Sequence, residues 1–184
     1  MEKTRNLKKK LKNNFYKLKF KEKVVQVSRV TKVVTGGKRL SFRAVIVIGN
    51  SERQVGVGIG RGEDVSLAIN KAISNAKRNL IAIPITINDS IPHVINSQYG
   101  ACKIMLRPAS SGTGVIAGGS VRTVLELAGI KNVLAKQFGS SNPLNNAKAT
   151  ILALMHLNEK VEIGKHQSVF RQKFYNRVMK SFND

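Results

Sequence analysis

Four glycines and two serines crowd the stretch from Ser110 to Gly119, with Arg107 before it and Arg122 after it. A glycine-rich turn that opens a helix can hold a phosphate, because the first backbone N–H groups of the helix lack partners and its dipole favours an anion. Gly112-Thr-Gly114-Val-Ile-Ala117 satisfies the G-x-G-x-x-G/A spacing of a dinucleotide loop. That chemistry also requires an acid about 20 residues further on to hold the ribose, and no Asp or Glu lies between Glu126 and Glu159. Gly119-Ser120 has no lysine in the place a nucleotide-triphosphate loop needs one, and Gly118-Gly119-Ser120-Val121-Arg122 lacks the closing glycine of a nucleophile elbow. His93, His156 and His166 are far apart, and a single cysteine, Cys102, excludes an internal disulfide or a multi-cysteine metal site. No catalytic constellation is visible and no cofactor is expected. Two readings of the loop remain: a plain tight turn, or a backbone phosphate contact using Arg107, Gly112, Gly114 and Arg122. The charge of the chain favours the second.

That charge is large. Thirty-two Lys and Arg oppose ten Asp and Glu, a net +22, which suits a polyanionic partner, nucleic acid first. A membrane is a poorer fit, because no apolar run approaches the roughly 20 residues that span a bilayer. At 184 residues and 42% apolar content the chain can bury one good core or two small ones, and lone Cys102 is in keeping with a reducing compartment.

A second cluster of cations surrounds Val55–Leu80. Val55, Val57 and Ile59 alternate with Gly56, Gly58 and Gly60, the pattern of a strand with side chains on one face and bare backbone on the other. The bare face is expected to admit close approach by RNA or by a second domain. After Arg61 and Gly62 the period changes: Val65, Ala68, Ile69, Ala72, Ile73, Ala76 and Leu80 form a helical stripe that needs a sheet to cover. Glu63 and Asp64 suit the positive end of that helix, and Lys77 and Arg78 the negative end. Arg61, Lys71, Lys77 and Arg78 stay outside the stripe and are candidate RNA contacts.

These sites require an α+β chain of two units between basic tails. Residues 1–23 carry ten basic residues and two acids, an arm that is either a solvated tail or a segment ordered on phosphates with Phe15, Tyr16 and Phe20 stacking. It reads as neither a secretory signal nor a transit peptide. From Val24 the chain turns β-rich. Thr35-Gly36-Gly37-Lys38 predicts a two-residue hairpin with positive φ at both glycines, and Lys32, Lys38 and Arg39 flank a tip with no apolar residue to bury. The first unit, residues 24–83, reads β-β-β-α and ends before Pro84. The second, residues 84–160, reads β-β-α-β-α. Cys102, Ile104 and Leu106 alternate in a strand, Val121, Val124, Leu125 and Ala128 mark a helix closed by Gly129, and 132–138 is a strand. Asn142 caps a last helix with Pro143 in its first turn and Leu144, Ala147, Ile151, Leu154 and Met155 as its buried stripe. In residues 161–184, Phe170, Phe174, Val178 and Phe182 recur every fourth position, which predicts an amphipathic helix docking outside the chain.

GVGIGRGEDVSLAINKAISNAKRNL and RPASSGTGVIAGGSVRTVLELAGIKNVLAKQFGSSNPLNNAKATILAL closely resemble ribosomal protein five of the bacterial-type small subunit, over about Val24 to Leu157. The resemblance implies a first domain like a double-stranded-RNA-binding fold and a second α/β domain with a left-handed βαβ crossover. It further implies binding to small-subunit ribosomal RNA, contacts with small-subunit ribosomal proteins four and eight, and a part in assembly, decoding accuracy and the passage by which mRNA enters. The family's hairpin loop matches Lys32 to Arg39, including Gly36 and Gly37, and lies close to the spectinomycin site. VVQVSRVTKVVTGGKRLSFRA and SSNPLNNAKA look most like the cyanobacterial and plastid branch, so a plastid ribosome is expected, with a bacterial cytoplasm as the alternative. Both tails depart from the family pattern. A free-standing RNA-binding regulator competes with the ribosomal reading, and an enzyme acting on RNA is a third.

Overall fold

Alternation along the second strand builds two cores at once. Ala44, Ile46 and Ile48 point to one face and Val45 and Val47 to the other, and all five are buried. The computed structural model describes residues 20–51, 53–83, 85–86 and 88–157. The readings made for the N-terminal arm, apart from Phe20, and for the C-terminal amphipathic segment lie outside the described residues.

The first unit is an antiparallel sheet in the order β1 (Lys21–Val34), β2 (Gly37–Gly49), β3 (Gln54–Gly62), β4 (Leu80–Ala82), with helix α1 (Val65–Arg78) between the last two strands. The short β4 adds to the expected β-β-β-α, and Leu80, assigned to the helical stripe in the sequence, pairs with Gly56 in this strand instead. Of the remaining stripe, Ala68, Ala72 and Ala76 are fully buried, Ile69 and Ile73 half-buried, and Val65 exposed.

The reason is the glycine face of β3. A Cβ on Gly58 would stand 2.5 Å from the Ala76 nitrogen and 2.8 Å from its Cβ, and one on Gly56 2.6 Å from the Ala76 oxygen. The helix therefore lies directly on the strand, alanine against glycine. The close approach expected of RNA or the second domain is made by the first unit's own helix. Ile46 and Ile48, paired with Gly58 and Gly56, fill the space beside this contact, and each contributes roughly 1.5–3 kcal/mol by burial.

The second unit contains β5 (Ile95–Tyr99), β6 (Cys102–Pro108), β7 (Val115–Ile116), helix α2 (Gly119–Ala128), β8 (Val133–Gly139) and helix α3, residues 143–157. Strand order is β5-β6-β8-β7, antiparallel except for β7 beside β8, which α2 connects in parallel. β7 lies inside the glycine-rich stretch and was not legible there. Gly129 ends α2 at φ 90°, its N–H donating to Glu126 O and Leu125 O. Asn142 Oδ1 accepts from Leu144 N at 3.1 Å and so caps α3. Met155 is exposed rather than part of the α3 stripe, while Ala149, Ala153 and Leu157 are buried.

The two units share a core. Val47 and Val55 of the first sheet belong to the same buried cluster as Val124, Leu125, Leu127 and Ala128 of α2 and Ile104 and Leu106 of β6. Backbone contacts seal the junction: Ser51 N donates to Leu127 O at 3.1 Å and Arg53 N to Ala128 O at 3.2 Å. Side chains on Gly49 and Gly129 would collide with Leu127 O and Ser51 O. No described helix is long and apolar enough to cross a membrane.

Candidate nucleic-acid interface

The β1–β2 hairpin outruns the sheet. β2 pairs with β3 only from Phe42, opposite Gly62, so the ribbon from Val30 to Ser41 has no third strand. Its turn is not the doubly primed one. Both glycines have positive φ as expected, 89° at Gly36 and 156° at Gly37, but Val34 pairs with Gly37, so the two loop residues are Thr35 and Gly36 rather than the two glycines. Lys32 and Arg39 are paired and share a face, while Lys38 lies opposite Val33 on the other. All three cations are exposed. The ribbon end is not free of apolar groups, since Val33 is 74% exposed and Leu40 55%. The ribbon end thus presents three cations and two exposed apolar side chains on strands with no third neighbour.

A second site forms on the outer side of α1. Lys71 and Arg78, seven residues apart on the helix, face the same way as Asn70, Ser74 and Asn75. Together with Arg61 from β3 they line an open groove of about 520 Å³. Asn75 Nδ2 donates to Ile59 O at 3.1 Å and fixes the helix to the strand edge beneath. Lys77 is exposed but lies off this groove. Arg61, Lys71 and Arg78 have no acid partner among the described residues, so the groove presents uncompensated positive charge beside amide and hydroxyl groups.

The glycine loop is built differently from its sequence appearance. Asn132 Oδ1 accepts both Gly112 N at 3.1 Å and Gly114 N at 3.2 Å, and Asn132 Nδ2 donates to Asn88 O at 2.9 Å. Those two N–H groups are therefore not open to a phosphate, which corrects the reading made from glycine content. Asn132 is 8% exposed and immediately precedes β8, whose predicted start it marks in the sequence. Arg122 is engaged as well: its Nε donates to Glu126 Oε1 at 2.7 Å, and Lys23 Nζ meets Glu126 Oε2 at 3.2 Å. The Arg122 hydrogen bond, ahead of the Lys23 contact and against partial burial, holds the Glu126 carboxyl below its ordinary pKa. Arg107 alternates outward on β6 with Lys103 and Met105, away from the buried Ile104 and Leu106. It shares a shallow depression with Ile116 and Lys136 on the outer face of the sheet. Among the described residues, no group of three or more His, Cys, Asp or Glu could hold a metal ion.

Residues 20–84 match the family described as Ribosomal protein S5, N-terminal domain, and residues 97–167 match Ribosomal protein S5, C-terminal domain. Small ribosomal subunit protein uS5 of Trichormus variabilis is 54% identical over 156 residues, covering 85% of this chain and 90% of that protein. Small ribosomal subunit protein uS5c of Guillardia theta is 57% identical over 152 residues, 83% of this chain and 90% of that protein. The uS5 of Thermosynechococcus vestitus is 54% identical over 158 residues, with 86% and 91% covered. Both halves of the family match in chain order and the relatives run through most of its length: the chain belongs to the ribosomal protein S5 family.

Proposed function

We propose that this chain is a structural, non-catalytic component of the small ribosomal subunit that grips small-subunit ribosomal RNA. The observation that carries the reading is the groove where Arg61, Lys71 and Arg78 converge without acid partners, in a family whose relatives bear the names of small-subunit proteins. Residues 24–83 form the principal RNA-facing unit and residues 84–160 the unit that supports it. An integral component is expected to sediment with small subunits after a high-salt wash. A free-standing regulator washes off, and that result would overturn the reading.

Several finer assignments rest on the resemblance and on local structure together. The hairpin bearing Lys32, Gly36, Gly37, Lys38 and Arg39 reaches ribosomal RNA near the spectinomycin site. Its projection and lack of a third strand support this. Substitutions at Gly36 or Gly37 are expected to alter spectinomycin sensitivity while the fold is kept: no atom lies within 4 Å of a Cβ at either position, and the cost is the backbone strain of a side chain at φ 89° or 156°, about 1–2 kcal/mol. An antibiotic response equal to the parent's across several such variants removes the assignment. Small-subunit ribosomal proteins four and eight and mRNA near the channel where it enters the subunit are the proposed neighbours, with roles in assembly and decoding accuracy. Crosslinking from the assembled subunit tests each. A plastid ribosome is favoured over a bacterial one by the Lys/Asn-rich N-terminal composition, and immunolocalisation decides between them.

A further inference from the structure

Among the described residues, the outer face of the second sheet has no layer upon it. On β6 and β8, Lys103 is paired with Phe138, Met105 with Lys136 and Arg107 with Leu134, and these side chains point away from the core that holds Cys102, Ile104 and Leu106. Phe138 is 46% exposed, Leu134 38% and Ile116 on neighbouring β7 56%. Two shallow depressions adjoin there. One, about 400 Å³, includes Asn96, Gln98 and Lys103, and the other, about 350 Å³, includes Arg107, Ile116 and Lys136. Phe138 and Met105 belong to both.

The charge on this face has one sign. No Asp or Glu occurs between Asp89 and Glu126 or between Glu126 and Glu159, so the four strands of this sheet carry none. Lys103, Arg107 and Lys136 enter no ion pair among the described residues. An apolar face meant for an ordinary protein neighbour does not need three uncompensated cations within it. A polyanion with flat apolar groups does, and single-stranded RNA has both.

We propose that the outer face of β5, β6, β8 and β7 is a platform for single-stranded RNA. Phe138 stacks a base between the two depressions, and Lys103, Lys136 and Arg107 hold the phosphates on either side. Asn96 and Gln98 offer amides to base edges. This is the arrangement that single-strand binders use, aromatic planes interleaved with basic groups on an open sheet. It is a surface distinct from the α1 groove and the hairpin, and it rests on the ribosomal reading above.

The test uses the full chain, with anisotropy measured across a salt series on a labelled single-stranded RNA of about 12 nucleotides and on a duplex of about 16 base pairs. Phe138→Leu keeps an apolar side chain but loses the aromatic plane, and is expected to weaken single-strand binding about 5- to 150-fold without changing duplex binding. Phe138→Tyr is expected to stay within about twofold of the parent, because the plane remains. Replacing Lys103 and Lys136 together by Gln is expected to lower the slope of log K against log salt by about 0.7 for each cation. Because these side chains are at the surface, circular dichroism of each variant should match the parent. The lysine variant gives an independent reading if Phe138→Leu loses its fold. Single-strand affinity and salt slope equal to the parent's in both variants overturn the platform, and failure of those same variants to enter subunits then assigns the face to a protein neighbour. A parent chain that binds RNA and sediments with subunits while the variants match it sinks only the platform. A parent that does neither sinks the ribosomal reading with it.

Discussion

Single atoms decide how close α1 lies to its sheet. Gly58 faces Ala72 and Ala76 with no room for a Cβ, and the obstructing atoms are helix backbone and the Ala76 Cβ, none of which can rotate aside. Gly58→Val is therefore expected to push α1 off the sheet and lower stability by at least about 3 kcal/mol, a fall in Tm of roughly 6–12 °C for a chain of this size. A Tm within about 2 °C of the parent would show that the helix can shift without loss. Glu126 acts at the same scale but more weakly. Its carboxyl joins Arg122 of its own helix to Lys23 of β1 and is held below the ordinary carboxylate pKa by those cations. A depressed folded value stabilises the native state above the unfolded value, and the contribution disappears as pH falls through the folded one. Glu126→Gln is expected to lower stability by about 0.2–1 kcal/mol at neutral pH and low salt, because the pair is largely solvated. The difference should shrink in acid and in high salt, and a urea-midpoint difference that survives both would mean the side chain acts by packing.

At the scale of the element, α1 separates two kinds of lysine that look alike in the sequence. Lys71 shares the groove with Arg61 and Arg78, and Lys77 does not. Replacing Arg61, Lys71 and Arg78 by Gln should reduce the salt slope for duplex RNA by about 0.9 per cation, whereas Lys77→Gln should leave it near the parent value. Equal effects from all four would mean that the helix acts only through net charge. The strand and helix periods in the sequence locate β3, α1, α2, β8 and α3 and the hairpin, because each buries a regular stripe. They do not locate β4 or β7, each of three residues or fewer, since such short pairings are fixed by neighbours and have no period of their own. The glycine loop misleads for a similar reason. Gly112 and Gly114 look like open donors until Asn132, 18 residues on from Gly114, is folded back against them. The basic face holding Lys103, Lys136 and Phe138 was hidden for the opposite reason: alternation tells which residues point outward, not that the strands carrying them become neighbours.

At the scale of the molecule, the two family domains are not independent bodies. The first sheet is covered on one face by α1 and on the other by the second unit. Val47 and Val55, both fully buried, pack in the cluster that also contains Leu125 and Ala128 of α2 and Leu154 of α3. The β2–β3 connection is also hydrogen-bonded to the end of α2. Separation of the units would expose this apolar surface and leave those backbone groups to water, so opening one unit removes the core of the other. The described fold is accordingly expected to unfold as one cooperative unit. Val55→Ala, in the first unit, removes two buried methyl groups at the shared cluster and should cost roughly 2 kcal/mol. Native-state hydrogen exchange supplies the test, because amides that exchange only by global opening share one free energy. The slowest amides of β2 and β3 and those of β6 and β8 are expected to show equal opening energies in the parent and to fall together in Val55→Ala. If only β2 and β3 lose protection while β6 and β8 keep theirs, the domains unfold separately and the shared cluster does not couple them. Equal losses in both sheets would mean that the two units open together, so that the α1 groove and the outer face of the second sheet belong to one cooperative body.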